Sequence, residues 1–135
     1  MAVKKVAGTL MEHNGKLLIL LRVDGRWGLP GGGVEPGEDN LTAAVREMAE
    51  ETGYKAKKED MRLEHVYDKT FRSGKDNAYL IYTLFRLTIP KLFDVILDSK
   101  EHTDFRWATP EEANTLPNLI PGLKEVFRMA YPSSR

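Results

Sequence analysis

The sequence predicts a layered sandwich of strands and helices, of the α/β or α+β class, in one domain spanning residues 1–135. Three observations lead there. Runs rich in β-branched and aromatic residues are separated by turn-forming Asn, Asp and Gly. One stretch behind a glycine-rich loop carries apolar residues at helical spacing. The C-terminal part opens with a helix-capping pattern. A chain of 135 residues is long enough for one hydrophobic core and too short for two.

The elements follow in order. "KVAGTLM" and "KLLILLR" read as strands flanking "EHNG", where Asn14-Gly15 supplies the positive φ of a tight hairpin turn. After the glycine loop, Asn40 to Thr52 places Leu41, Ala44, Val45, Met48 and Ala49 on one stripe, and Gly53 ends this helix. Residues 61–71 and 78–89 read as two more strands joined by a turn in "RSGKDN". "PKLFDVILDSKEHTD" fits no single element, and "FRWAT" reads as a short last strand. Thr109, Pro110 and Glu112 take the N-cap, N1 and N3 positions of a capping box. A final helix over residues 121–130 turns Leu123, Val126, Phe127 and Ala130 inward. Repeats, linkers and low-complexity segments are absent from the sequence.

Twenty basic residues balance twenty acidic ones, so no global field draws the chain to nucleic acid or an anionic membrane. A polyanionic ligand must be held locally. Without cysteine there are no disulfides, no thiol catalysis and no thiolate metal sites; a metal would rest on oxygen or on one of three histidines. "MAVKKVAGTLMEHNG" lacks the apolar stretch of about ten residues that a leader needs, and "AYLIYTLF" is far short of a membrane span. A cytoplasmic protein is expected, without membrane attachment and as a monomer or homodimer.

The unusual segment is residues 28–54, "GLPGGGVEPGEDNLTAAVREMAEETGY". On a helix Glu47, Glu50 and Glu51 project side by side, and the reading places them opposite the apolar stripe. Such carboxylates repel one another and raise one another's pKa, whereas a divalent ion reverses the sign of the interaction. Taken alone, "REMAEET" also fits the solvated face of an ordinary helix. The loop before it decides between the two. Gly31, Gly32, Gly33 and Gly37 let the backbone approach a ligand closely and lead to a helix N-terminus, where free N–H groups favour anions.

Gly32, five residues, Glu38, seven residues, then Arg46-Glu47, Glu50-Glu51 and Gly53 resembles the Nudix hydrolase signature; "RWGLPGG" and "EHTDFRW" resemble the family too. Tyr54 stands where the family usually has an aliphatic residue, which bears on local packing. The resemblance implies a Nudix-type α/β/α sandwich with a mixed β-sheet, a loop-helix box and a C-terminal helix. It implies hydrolysis of a nucleoside diphosphate linked to another moiety, with Mg²⁺ or Mn²⁺ and an attacking water. Carried onto this chain, Glu50 and Glu51 are metal ligands, Glu47 is a ligand or orients the water, and the Gly31 carbonyl adds a ligand. Arg46 pairs with a helix carboxylate and fixes its direction, while Gly32, Gly37, Glu38 and Gly53 shape the loop and the helix ends. Glu101 is the candidate base or extra ligand, with a solvated loop charge as the alternative; His102, beside it, is a possible substitute.

Other residues stay open. Arg22 fits a phosphate contact or a surface arginine equally well. Trp27, Tyr67, Phe71 and Tyr82 suit base stacking or the core, and Asn118 suits base reading or a turn. A MutT-like pyrophosphohydrolase of nucleoside triphosphates is the favoured reading. Dinucleoside polyphosphates, ADP-ribose or nucleotide sugars, and a silent nucleotide-binding sensor, are the alternatives. The isopentenyl diphosphate isomerase branch needs a cysteine that this chain lacks, and a decapping role would call for a basic RNA-binding surface.

Overall fold

The computed structural model describes residues 2–73 and 76–132. The side chains of residues 2, 69, 71–73, 76 and 77 lie outside the described set, and with them the tip of the "RSGKDN" turn and the Phe71 ring. The opening hairpin forms as its sequence requires. Asn14 (φ 49°) and Gly15 (φ 79°) make the turn between β1 (Ala2–His13) and β2 (Lys16–Arg22), with Glu12 opposite Leu17 and His13 opposite Lys16.

Beyond the hairpin, β1 pairs in parallel with β6 (Asp76–Thr88) along a register from Ala2↔Ala78 to Glu12↔Thr88. β3 (Trp27–Gly28) borders β2, and β5 (Arg62–Ser73) borders β6, giving the order β3-β2-β1-β6-β5. β4 (Gly31–Gly33) pairs with β1, and β7 (His102–Ala108) with β2, to complete a mixed seven-stranded sheet. The glycines expected as a loop therefore form a short strand: Gly31 lies opposite Gly8, and Gly32 opposite Ala7.

Alternation along the strands fills two cores. Leu18 and Leu20 face one side with Ala7, Met11, Phe85 and Leu87, under Ala43, Ala44 and Met48 of α1 (Asn40–Thr52). Leu17 and Ile19 face the other with Leu10 and Leu84. These lie under Ala113 of α2 (Pro110–Asn114) and under Leu123, Val126 and Phe127 of α3 (Leu123–Ala130). Helix on sheet on helix is the sandwich the sequence predicts.

The helix ends follow local chemistry. Asp39 caps α1 by accepting the Thr42 N–H at 2.7 Å, and Gly53 closes it at φ 82°. The Thr109–Glu112 capping box is complete. α3 starts later than expected, at Leu123, because Gly122 is left-handed (φ 89°) and so lies outside the helix. The last strand starts earlier than expected, at His102, since that residue pairs with Arg22 across a bulge. The segment before it has no strand partner, yet Phe93, Val95 and Leu97 pack on the α1 side of the sheet. Phe93 lies 4.8 Å from the ring of Tyr54, which accommodates that residue's departure from an aliphatic.

Candidate active site

Where β4 passes beneath the C-terminal half of α1, a cleft of 290 Å³ opens, lined by Arg22, Gly31, Gly32, Glu47, Glu51, Lys100, Glu101 and His102 among others. Its floor is set by glycine. A Cβ on Gly32 would lie 2.6 Å from the Glu47 carboxylate, and one on Gly31 would lie 2.5 Å from the Ala7 carbonyl oxygen. The helix thus rests directly on strand backbone.

The three box glutamates differ sharply in setting. The expected placement of all three side by side opposite the apolar stripe is not what forms, because successive helical residues rotate by ~100° and so Glu50 and Glu51 diverge by that angle. Glu51 turns under the helix, is 3% exposed, and accepts the Gly31 N–H at 2.7 Å. Burial pushes its carboxyl up to about 8, with Glu47 and Glu101 adding to the rise. Glu47 is half-buried, and burial raises it too. Glu50 stays exposed and lies outside the cleft lining, 3.3 Å from the Arg46 guanidinium.

Arg46 is the staple that the sequence reading expected, with more partners than it expected. It donates to the Glu38 carboxylate from Nε (2.8 Å) and Nη2 (3.0 Å), to Glu47 from Nη1 (3.0 Å), and to the Gly33 carbonyl from Nη2 (2.9 Å). Glu38 in turn accepts the Glu35 N–H at 3.0 Å, so the turn before α1 is tied to the helix. The arginine holds Glu38 well below the usual carboxylate range.

The opposite wall comes from the turn that carries Glu101, the expected base or extra ligand, and His102 beside it. Asp98 accepts the Glu101 and His102 N–H groups on its carbonyl (3.1 and 2.9 Å) and the Lys100 N–H on its side chain (3.0 Å). The Glu101 carbonyl accepts the Val23 N–H at 2.8 Å, which fixes this turn to the end of β2. One ligand atom each from Glu51, Glu101 and His102 lies within 4.8 Å of the others. His102 is 5% exposed, and burial lowers its pKa. Two carboxylates and an imidazole gathered this closely are a donor set whose chemistry suits a divalent cation.

Arg22 and Lys100 bring positive charge to the same cleft; Arg22 also lies 3.3 Å from Asp24. Lys100 escaped the sequence reading because a lysine beside an acid in an unassigned loop carries no distinguishing signal. Asn118 is exposed, has φ 58°, and its carbonyl accepts the Trp27 N–H; it is not among the residues that line the cleft. Trp27 is buried in the core beneath α3, with Arg106 over its ring at 5.5 Å. Tyr67 and Tyr82 pack against that same core.

Residues 2–130 match the NUDIX domain family. A nucleoside triphosphatase NudI from Salmonella heidelberg is 32% identical over 114 residues, covering 76% of this chain and 79% of its own length. An RNA pyrophosphohydrolase from Novosphingobium aromaticivorans is 30% identical over 145 residues, covering 93% and 88%. Among solved structures, a MutT protein from Bacillus halodurans matches with a TM-score of 0.79 at 27% identity, over 98% of this chain and 84% of that one. A C. elegans Ap4A hydrolase matches with a TM-score of 0.70 at 25% identity, over 93% of each chain.

Proposed function

From the premise that this chain belongs to the NUDIX family and is a hydrolase of pyrophosphate bonds, we propose that it cleaves nucleoside triphosphates to a monophosphate and pyrophosphate in the Glu47–Glu51 cleft. The carrying observation is Glu51. This carboxyl is nearly inaccessible and receives a single backbone N–H, while two further acids face the same cleft. A buried carboxylate so placed is costly unless a cation joins it.

Glu51 and Glu101 would hold a divalent cation, Mg²⁺ or Mn²⁺, which when bound would offset the charge that builds on the transferring and leaving phosphate oxygens. Arg22 and Lys100 orient the phosphate chain from the mouth of the cleft. Glu47, kept basic by burial and aimed by Arg46, accepts the proton of the attacking water as its oxygen bonds to phosphorus and the bridging P–O bond breaks. Glu50 orients Arg46 from outside.

The experiment is a panel of nucleoside triphosphates, dinucleoside polyphosphates and nucleotide sugars with Mg²⁺ or Mn²⁺, products being separated by chromatography. Pyrophosphate plus monophosphate from triphosphates is expected. Product from dinucleoside polyphosphates alone would replace the substrate class, and none from any substrate would leave a binding protein. Glu51→Gln should cut turnover by ~100-fold or more, and Glu50→Gln by less. Equal losses would contradict the division drawn between them.

A further inference from the structure

Of the charged and polar side chains that line the cleft, only the imidazole of His102 has no part in that reading. This ring is 5% exposed and its Nδ1 has no hydrogen-bond partner, a state that among the described buried side chains only the Thr9 and Tyr67 hydroxyls share. Its Nε2 lies 4.0 Å from the Glu51 carboxylate, too long for a hydrogen bond, and one ligand atom each from His102, Glu51 and Glu101 falls within 4.8 Å of the others. No hydrogen bond among the described residues engages Nε2, which leaves the nitrogen beside the Glu51 carboxylate available to a ligand. The backbone leaves little freedom, since the Asp98 turn and the Arg22 pairing fix residue 102 on both sides.

We propose that His102 is a protein ligand to the cleft cation, making the site a two-carboxylate, one-imidazole centre that prefers first-row transition ions such as Mn²⁺ or Co²⁺ to Mg²⁺. This rests on the cation site proposed above and adds the ligand that sets its preference. Imidazole is a poor ligand for Mg²⁺ and a good one for transition metals, whereas an all-oxygen site would serve Mg²⁺ well.

Pulsed electron paramagnetic resonance on the Mn²⁺-loaded protein, without nucleotide, is the test. A ¹⁴N modulation from one directly bound imidazole is expected in the wild type. It should persist in His13→Gln and His65→Gln and vanish in His102→Gln, whose Mn²⁺ affinity should fall about tenfold or more. The two control variants keep the assignment readable even if His102→Gln does not fold. Bound Mn²⁺ with no ¹⁴N modulation, or modulation that survives in His102→Gln, would overturn the role of His102 and leave the cation site standing. Wild-type protein that binds no Mn²⁺ would overturn both.

Discussion

Glu51 is where burial and chemistry meet most sharply, and its pH behaviour can be derived. Its carboxyl is raised to about 8 in the folded protein from an ordinary 4.5, so in that window the native state holds a proton that the unfolded chain has released. The Glu51 contribution to metal-free stability should therefore fall as pH rises from about 5 to 8, by up to ~5 kcal/mol. Glu47 shifts in the same direction, while His102, whose pKa burial lowers, opposes the fall through the histidine range. Thermal melts in chelator across that range should show a falling Tm. Mn²⁺ should flatten the fall by taking the place of the proton, and Glu51→Gln should reduce it without metal. A Tm that rises with pH in chelator would refute the buried-acid account. Gly31 and Gly32 make a second test at this scale. A methyl on Gly31 meets strand backbone at 2.5 Å, whereas one on Gly32 meets only the Glu47 carboxylate at 2.6 Å. Gly31→Ala should thus cost ~2 kcal/mol or more in stability, while Gly32→Ala should lower turnover with little change in Tm. The reverse pattern in melts and kinetics would show that the contact with β4 does not set the position of Glu47.

The helix α1 and its preceding turn act as one element because Arg46 joins them. A lysine at that position keeps the charge but cannot grip Glu38 with two nitrogens while also reaching Glu47 and the Gly33 carbonyl. Arg46→Lys should lower kcat by about tenfold or more with only a small loss of stability, measured by steady-state kinetics alongside thermal melts. An unchanged kcat would mean that Glu47 is aimed by something else. This element was readable in the sequence because each of its determinants is local: helical spacing from Leu41 to Met48, and Gly53 at the end. The hairpin at Asn14-Gly15 and the Thr109 capping box were readable for the same reason. What escaped depends on contacts between distant segments. The strand character of Gly31–Gly33 exists only because β1 lies beside it, and the placement of Glu101 and His102 comes from hydrogen bonds to Asp98 and β2. The burial of Glu51 is likewise a tertiary fact, since at 3.6 residues per turn it lies at the border of the polar and apolar faces.

At the scale of the whole molecule, the sheet separates two layers that carry different duties. The acidic cleft belongs to α1, β4 and the 98–102 turn, whereas the far layer is held by a cluster at the C-terminal end of α3. There Arg86 donates to Glu12 and Glu64 at 2.8 Å each and to the Ala130 carbonyl at 3.1 Å, lies over the Tyr131 ring at 4.7 Å, and shares Glu12 with the Tyr131 hydroxyl. Removing the guanidinium takes the charged partner from the half-buried Glu64 carboxylate, leaves Glu12 with hydroxyl donors alone, and frees the end of α3, so Arg86→Ala should destabilise the protein by roughly 2–4 kcal/mol. Sites with no shared partners have additive effects. Arg86→Ala should therefore leave Mn²⁺ affinity unchanged, and combined with Glu51→Gln should give the sum of the two single shifts in denaturant unfolding. A double variant departing from that sum by more than about 1 kcal/mol, or a changed Mn²⁺ affinity in Arg86→Ala, would show that the C-terminal helix and the cleft are coupled through the sheet.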